Sequence, residues 1–382
     1  MKHHAGMLIG RALRGRRTRS ALTLIGVAAT ALLVLVLLAA HNSLAAGVRA
    51  YAGRADVDLW IAPAGTDNLI RSSGLLPADV HAVVGSLPGV VAADPLLRFF
   101  VKMSRADTSS QADAERQLTL LAIGYLAPSG LGGPNVIARG RRPGAPGEVA
   151  VDRAAAHRLG VGVGDSVLIN GRGMQVVGLS RGTNLLATQF VFAGIDDARV
   201  ASGVPERFSF VAVTLAPHAK HAEVEREIRA RYRGTLSVIS REAFVAHNLR
   251  EVTSGLVPLL TLIAGLGVAV SAVLVVLLVQ GLVDDRRSEI AVLLALGSST
   301  MMIGSGLVAR AGLLVLAGAF LGGLAALGLG SLLDKVFPSV ELSFAVSHFF
   351  LTGIMFVVAA SVAALVPVLR LRRIDPLDAF RA

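Results

Sequence analysis

Four long apolar runs, one near the start of the chain and three in its last third, bracket about two hundred residues of mixed polar and apolar pattern. The first, Ser20 to Val48, lies between Arg19 and Arg49 and holds no Asp, Glu, Lys or Arg. The second runs from Val252 to Val283, the third from Ala311 to Leu333, and the fourth from Leu342 to Leu369 with His348 as its one ionisable group. Crossing ~30 Å of hydrocarbon takes about 20 residues at ~1.5 Å each, so every run predicts a membrane-spanning helix. The second run exceeds that need by roughly ten residues and is expected to project beyond the membrane as a stalk.

Between the first and second runs the pattern changes to that of a folded domain. Asp56 to Ala62 alternates like a strand, and Pro77 to Leu87 opens with a proline and an acid at a helix start before Pro88-Gly89 stops it. Val90 to Met103 reads as a second strand, broken or bulged near Pro95. Phe208 to Leu215 predicts a strand, His218 to Arg233 a helix and Thr235 to Ser240 another strand. The middle is rich in short strands: Gln117 to Leu126, Glu148 to Val151, Asp165 to Asn170, Met174 to Leu179 and Gln189 to Phe192. The expected fold is a four-helix membrane protein in a one-plus-three layout, carrying an α+β domain outside the membrane. That domain reads as a split ferredoxin-like βαβ–βαβ layer with a mostly β subdomain inserted in its middle. The polar stretch Ser104 to Arg116 reads as a loop or hinge.

The boundaries follow. Residues 1–19 form a basic elbow, 20–48 the first helix and 49–251 the outer domain, with halves 49–103 and 208–251 around an insert, 104–207. Residues 252–283 form the second helix and stalk, 284–300 a cytoplasmic segment, 301–333 the third helix, 334–341 an outer connection, 342–369 the fourth helix and 370–382 a tail. Lys2, Arg11, Arg14, Arg16, Arg17 and Arg19 precede the first run, and Arg370, Arg372, Arg373 and Arg381 follow the fourth. Basic residues stay on the cytoplasmic side, so both termini are expected there. The first run is longer than a signal-peptide core and is read as a retained helix.

Residues 42 to 253 carry 23 basic and 19 acidic residues, so most of the chain's net +11 belongs to the membrane part and its edges. With aromatics at 5%, there is no basic stripe interleaved with stacking rings, and nucleic acid is not an expected partner. The absence of cysteine removes disulfides and thiol chemistry. Gly160, Gly162 and Gly164 follow a helix and precede a strand, the reverse of a dinucleotide loop, and are read as a tight turn. No G-x-x-x-x-G-K-[ST] occurs, so no P-loop ATP binding is expected of this chain. His218, His221 and Glu223 share a solvated helix start with no evident fourth ligand, and no metal site is expected. No serine lies in a G-x-S-x-G context and no carboxylate pair argues for acid–base work, so the chain is not read as an enzyme. Within the runs, Gly318 and Gly322 stand at GxxxG spacing, which predicts a close helix contact or a dimer face.

The sharpest local signal is Asp284 to Ser299 (DDRRSEIAVLLALGSS), a charged front, an apolar back and a glycine stop between two membrane helices. A short helix presented there can dock into a partner's groove.

This segment resembles the E-R-R-x-E-I-G-V-L-R-A-L-G-A-S stretch of the MacB/FtsX-like ABC transporter permeases. The tail Leu369 to Ala382 is similar to their R-R-A-x-x-x-x-P-x-x-A-L-R ending. The leader Leu8 to Ala28 resembles their basic elbow, and Gly147 to Ile169 their outer-domain signature. The resemblance implies a mechanotransmission-type permease of the bacterial inner or plasma membrane that homodimerises and is served by two copies of a cytoplasmic ABC ATPase. ATP and Mg would be used by that partner, with no cofactor held by this chain. Arg286, Arg287, Glu289, Ile290, Val292, Leu293, Leu296 and Gly297 would form the ATPase-coupling segment. Asp284, Asp285 and Leu294 depart from the commoner residues. The implied role is export or extrusion of a hydrophobic or membrane-derived substrate through movement of the outer domain, with membrane lipid and a periplasmic or extracellular accessory protein as further partners. A non-transporting regulator of an extracellular partner stays open within the family. An ATP-independent secondary transporter is the rival of another class, against which the scarcity of ionisable groups in the runs weighs.

Overall fold

The computed structural model describes residues 2–69, 74–106, 117–185, 188–204, 206–296, 298–336 and 342–370. Most of the polar stretch 104–116, the end of the outer connection 334–341 and the tail after Arg370 therefore lie outside the described residues, as does Gly297. The chain divides into two units, one of residues 1–42, 257–332 and 342–382 and one of residues 43–256 and 333–341.

Nine helices and eleven strands are described. The helices are α1 (Lys2–Ala52), α2 (Val80–Gly85), α3 (Arg153–Leu159), α4 (Ile195–Ser202), α5 (His221–Tyr232), α6 (Arg241–Asp284), α7 (Arg287–Ala295), α8 (Thr300–Val336) and α9 (Val346–Arg370). The strands are β1 (Leu59–Pro63), β2 (Val90–Arg105), β3 (Leu118–Tyr125), β4 (Val136–Gly140), β5 (Glu148–Asp152), β6 (Ser166–Ile169), β7 (Arg172–Arg181), β8 (Asn184–Leu185), β9 (Thr188–Gly194), β10 (Phe210–Leu215) and β11 (Leu236–Ser240).

In the membrane unit, four helices carry segments long and apolar enough to cross a bilayer: Ser20–Ala52, Val257–Asp284, Thr300–Leu333 and Val346–Leu369. Each turns one face inward at four-residue spacing. Val27 and Ala31 meet Val275, Val279 and Val283, Leu307, Ala311 and Val315, and Phe356, Ala360 and Ala364 in one buried cluster. The opposite faces are apolar and exposed, as in Leu262, Leu266, Val270, Val273 and Leu277 of α6, which suits a helix against lipid. The buried polar side chains of this unit, among the described residues, are Thr23, Thr30, Ser271 and Thr352, none of them ionisable.

In the outer unit, β11-β1-β10-β2 lie side by side with antiparallel neighbours, the order of a ferredoxin-like layer whose strands come from the two ends of the segment. Alternation along β1 buries both faces. Leu59 and Ile61 pack under α2 and α5 with Val80, Val84, Val224 and Ile228. Trp60 and Ala62 point the other way, onto Tyr51 from the end of α1 and Phe244 from the start of α6.

The inserted strands close on themselves. β2 pairs with β3, β3 with β9, β9 with β5, β5 with β7, β7 with β6, and β6 returns to β2. This six-stranded ring is a small barrel with Val101, Met103, Leu120, Val149, Val151, Val167 and Val191 inside it, and closure leaves those strands no free edge. β4 extends it through β7, and the short β8 pairs with β9. β2 belongs to both layers. Its residues 90–96 pair with β10 and its residues 97–103 with β3. The strand is thus unbroken at Pro95, where the sequence predicts a break or a bulge. In this half β2 has a partner on one side only, an edge position where a proline's missing N–H leaves no ladder bond unmade. The one irregularity in this pairing lies nearer the start of β2, where Ala92 opposes Thr214 and Val90 opposes Leu215, leaving Val91 as the extra residue.

The glycine run after α3 is the expected helix-to-strand turn. Gly160 caps α3 with φ 65°, Gly164 sits at φ 101°, and Asp165 Oδ2 accepts from Gly162 N at 2.8 Å. A side chain at either φ is strained, so glycine is the residue that fits.

Candidate functional site

Several buried polar groups of the outer unit are engaged in holding the fold. Glu148 accepts from both guanidinium nitrogens of Arg141 and from the backbone N–H groups of Gly144 and Ala145. The Arg141 hydrogen bonds, with those backbone donors, hold the Glu148 carboxyl down at about 2. Asp152 caps α3 by accepting from Ala154 N at 2.8 Å and also accepts from Thr183, whose hydroxyl meets Ser180. Arg54 is buried, pairs with Asp56 and donates to Gly133 O at 2.8 Å. Ser129 donates to Asp94 and Leu126 O and accepts from Leu131 N, tying a turn to β2. Among the described residues, no group of three or more His, Cys, Asp or Glu is placed to hold a metal ion.

The membrane unit holds a different kind of surface, at the junction of α6 and α8. After α6 the backbone turns through Asp285 N to Gly281 O and Arg286 N to Val283 O, and α7 begins. Arg286 pairs with Glu289 across its first turn at 3.6 Å. The helix ends at Leu296, whose N–H reaches Val292 O at 3.0 Å, and Ser298 N returns to Leu293 O at 3.0 Å. Ser299 then caps α8, its hydroxyl accepting from Met302 N at 3.2 Å.

Helical periodicity sorts α7 into two faces. Ile290 is 4% exposed and Ala291 fully buried, and Leu294 packs against the same cluster of Val279, Val283 and Leu307. Arg287, Glu289, Val292, Leu293 and Leu296 stand exposed, with Arg286 half-buried beside them. Ile290 therefore seats the helix, and the free face belongs to the others. The sequence reading missed two neighbours. Met301 and Met302, in the first turn of α8, are 83% and 63% exposed and follow Leu296 by five and six residues. They read as the first residues of an apolar run, and only the position of α7 marks them as surface. Val292, Leu293, Leu296, Met301 and Met302 are thus exposed apolar side chains that follow a charged turn in the chain.

Gly318 and Gly322 are brought together with α1 of the same chain. A Cβ at Gly318 would lie 2.8 Å from Val27 Cγ1, and one at Gly322 would lie 2.4 Å from Ala28 O and 2.8 Å from Ala31 Cβ. Of the two roles open to the GxxxG pair, these residues serve an intrachain helix contact, because only a missing side chain lets the backbones come this close.

Two family models match the chain. One is the MacB-like periplasmic core domain, over residues 20–231, and the other is the FtsX-like permease C-terminal region, over residues 261–376. No curated protein sequence matches it. Among solved structures, the periplasmic region of MacB from Actinobacillus actinomycetemcomitans aligns at 11% identity and a TM-score of 0.39, covering 48% of this chain and 88% of that one. The extracellular domain of the noncanonic ABC-type transporter YknZ from Gram-positive bacteria aligns at 11% identity and a TM-score of 0.36, covering 48% and 99%. The core-domain model alone takes in more than half of the chain, and the permease model adds α7 and the two helices after it. With four apolar helices and an α/β domain, this chain belongs to the MacB/FtsX-like family of ABC transporter permeases.

Proposed function

We propose that this chain is the membrane subunit through which a separate cytoplasmic ABC ATPase drives export or extrusion of a hydrophobic or membrane-derived substrate. The observation that carries the reading is the two-faced α7. It is anchored in the bundle by Ile290 and Ala291 while presenting Val292, Leu293 and Leu296 outward. A rigidly seated helix with a free apolar face transmits a push, whereas a loop would absorb it. In this reading two ATPase copies, using ATP and Mg, meet two permease protomers, and α6 relays their closure toward the outer domain. α6 runs 44 residues without interruption apart from Pro258. The termini and α7 lie on the cytoplasmic side of the plasma membrane. Among the membrane-helix residues whose burial is described, no ionisable side chain is buried, which favours a movement of the outer domain over a polar path through the bundle.

The test is copurification of the full chain with its ATPase and measurement of coupled ATP hydrolysis. Leu293→Asp, or Glu289→Lys, should release the ATPase or uncouple hydrolysis while leaving the helical content intact. Retained copurification with full coupled activity in both variants would refute the docking role of α7.

A further inference from the structure

In the three later membrane spans, residues 257–283, 300–333 and 346–369, one Lys, Arg, Asp or Glu occurs, and it is Arg310 of α8. Its side chain is exposed and, among the described residues, meets no carboxylate or other hydrogen-bonding partner. A charge on a membrane helix normally faces a partner inside the bundle. Arg310 instead heads an outward stripe that continues at helical spacing through Leu313, Ala317, Phe320 and Leu324, all exposed.

Neighbouring helices give its depth. α8 runs alongside α1 in the same direction, since a Cβ at Gly318 would meet Val27 and Leu24 O, and one at Gly322 would meet Ala28 O and Ala31. Eight residues before Gly318, Arg310 is therefore level with the residues just before Ser20, where the uncharged part of α1 begins. At the other end Gly330 packs on Phe344. The neighbouring Ser343 accepts from Asn42 through its carbonyl at 3.2 Å and its hydroxyl at 3.1 Å, forming a polar rim. Twenty residues separate Arg310 from Gly330, ~30 Å of helix and the thickness of a bilayer's hydrocarbon. Arg310 thus stands at the hydrocarbon boundary on the α7 side, at the level of lipid phosphates.

A helical side chain leans toward the turn before it, here toward Gly306, where a Cβ would meet nothing within 4 Å. That direction carries the guanidinium out of the hydrocarbon and leaves open space beside it. A second copy of the chain is a poor occupant of this space. Protomers in one membrane share their orientation, so a two-fold contact through α8 would set Arg310 against Arg310 at one depth, and like charges repel most where water is scarce. A phosphodiester supplies the opposite charge and two oxygens that match the guanidinium fork.

We propose that Arg310 is the headgroup site for an anionic phospholipid in the leaflet on the α7 side, its guanidinium holding the phosphodiester while the acyl chains lie along Leu313, Ala317 and Phe320. A zwitterionic lipid carries the same phosphate partly neutralised by its own ammonium, so the site prefers the anionic lipid. ATPase docking plays no part in it.

Leu313→Trp places a reporter beside the site, one turn from Arg310. Trp60, the one native tryptophan, is fully buried in the outer unit and contributes a constant background. The full chain carrying Leu313→Trp is reconstituted in vesicles of phosphatidylglycerol and phosphatidylethanolamine with one or the other lipid brominated, and quenching of the new indole gives the ratio of the two lipids beside it. Phosphatidylglycerol should be enriched about fivefold, the factor expected of one arginine at a lipid surface. Adding Arg310→Gln should bring the ratio near one. Arg287→Gln, which removes the same charge from the exposed face of α7, should leave it unchanged, as should free phosphate set against chloride of equal ionic strength. An indole that neither lipid quenches shows a face covered by protein and overturns the proposal. So do a ratio near one before Arg310 is changed, an enrichment that survives Arg310→Gln, an equal fall in Arg287→Gln, and a loss to phosphate alone, which assigns the guanidinium to a soluble anion.

Discussion

Trp60 of β1 stacks on Phe244 in the first turn of α6, with ring centroids 4.6 Å apart and planes 23° from parallel. Tyr51, one residue from the end of α1, closes on the same indole at 6.4 Å and gives its hydroxyl to Gly132 O at 2.7 Å. Asn248, one turn beyond Phe244, accepts from Leu69 N and donates back to Phe244 O, both at 2.8 Å. Three segments distant in sequence are thus locked around one fully buried ring.

Phe244→Ala should remove the largest side chain that α6 contributes to this cluster. Truncating a buried phenylalanine costs about 3–5 kcal/mol, part of it aromatic pairing. Trp60 is the only tryptophan in the chain, so its emission reports this site directly. Its red shift should come at clearly lower denaturant in the variant, and an unmoved midpoint would show that the stack adds nothing.

Gly322→Leu should separate α1 from α8, since even the first carbon would lie 2.4 Å from Ala28 O. Gly328→Ala, on the same helix, meets nothing within 4 Å and should be neutral or slightly stabilising through helix propensity. Size-exclusion profiles and thermal aggregation of the two detergent-solubilised variants check this. Equal behaviour would remove the close-approach role of the glycine.

On α7, the two faces predict opposite failures. Leu296→Asp and Met301→Asp should leave the protein folded and weaken ATPase copurification, because both side chains are exposed. Ile290→Asp should lower thermal stability by several kcal/mol, since it would bury an unpaired carboxylate in the bundle. Expression level and melting temperature beside a pull-down separate the two outcomes, and a destabilised Leu296→Asp would contradict the assignment of faces.

Acid should weaken the outer domain through Glu148. Its carboxyl titrates at about 2 in the folded protein against an ordinary value of 4.5, so the native state binds its proton later than the unfolded chain does. The stabilisation is complete above about 4.5 and disappears as the pH falls from there to about 2. Glu148→Gln should lose that part of the pH dependence, measured as the slope of denaturation midpoint against pH. A slope identical to wild type would mean that another carboxylate carries it.

The spans were legible because lipid demands long uncharged runs, and a run of that kind has few other meanings. Their ends were less so. The first helix continues beyond Val48 to Ala52, because nothing in that stretch breaks a helix, whereas the sequence reading stopped it at a charge. The ferredoxin-like layer was visible because its two halves each carry a local strand–helix–strand pattern. The barrel was not, since β6 closing on β2 and the parallel pairs β3–β9 and β5–β7 join residues far apart and leave no mark on local alternation. For the α7 surface, the apolar residues could be read from the sequence but not sorted. Ile290 and Leu293 look alike in a string, and only packing turns one inward and the other out.

The strand β2 has a further consequence. Its first half is a member of the open layer and its second half a stave of the barrel, with no turn, proline break or bulge in its own backbone between them. Tilting the layer must therefore carry the barrel with it, as a key turns its bow and its blade together. A displacement of the layer is thus passed into the barrel along continuous backbone and not dissipated in a joint.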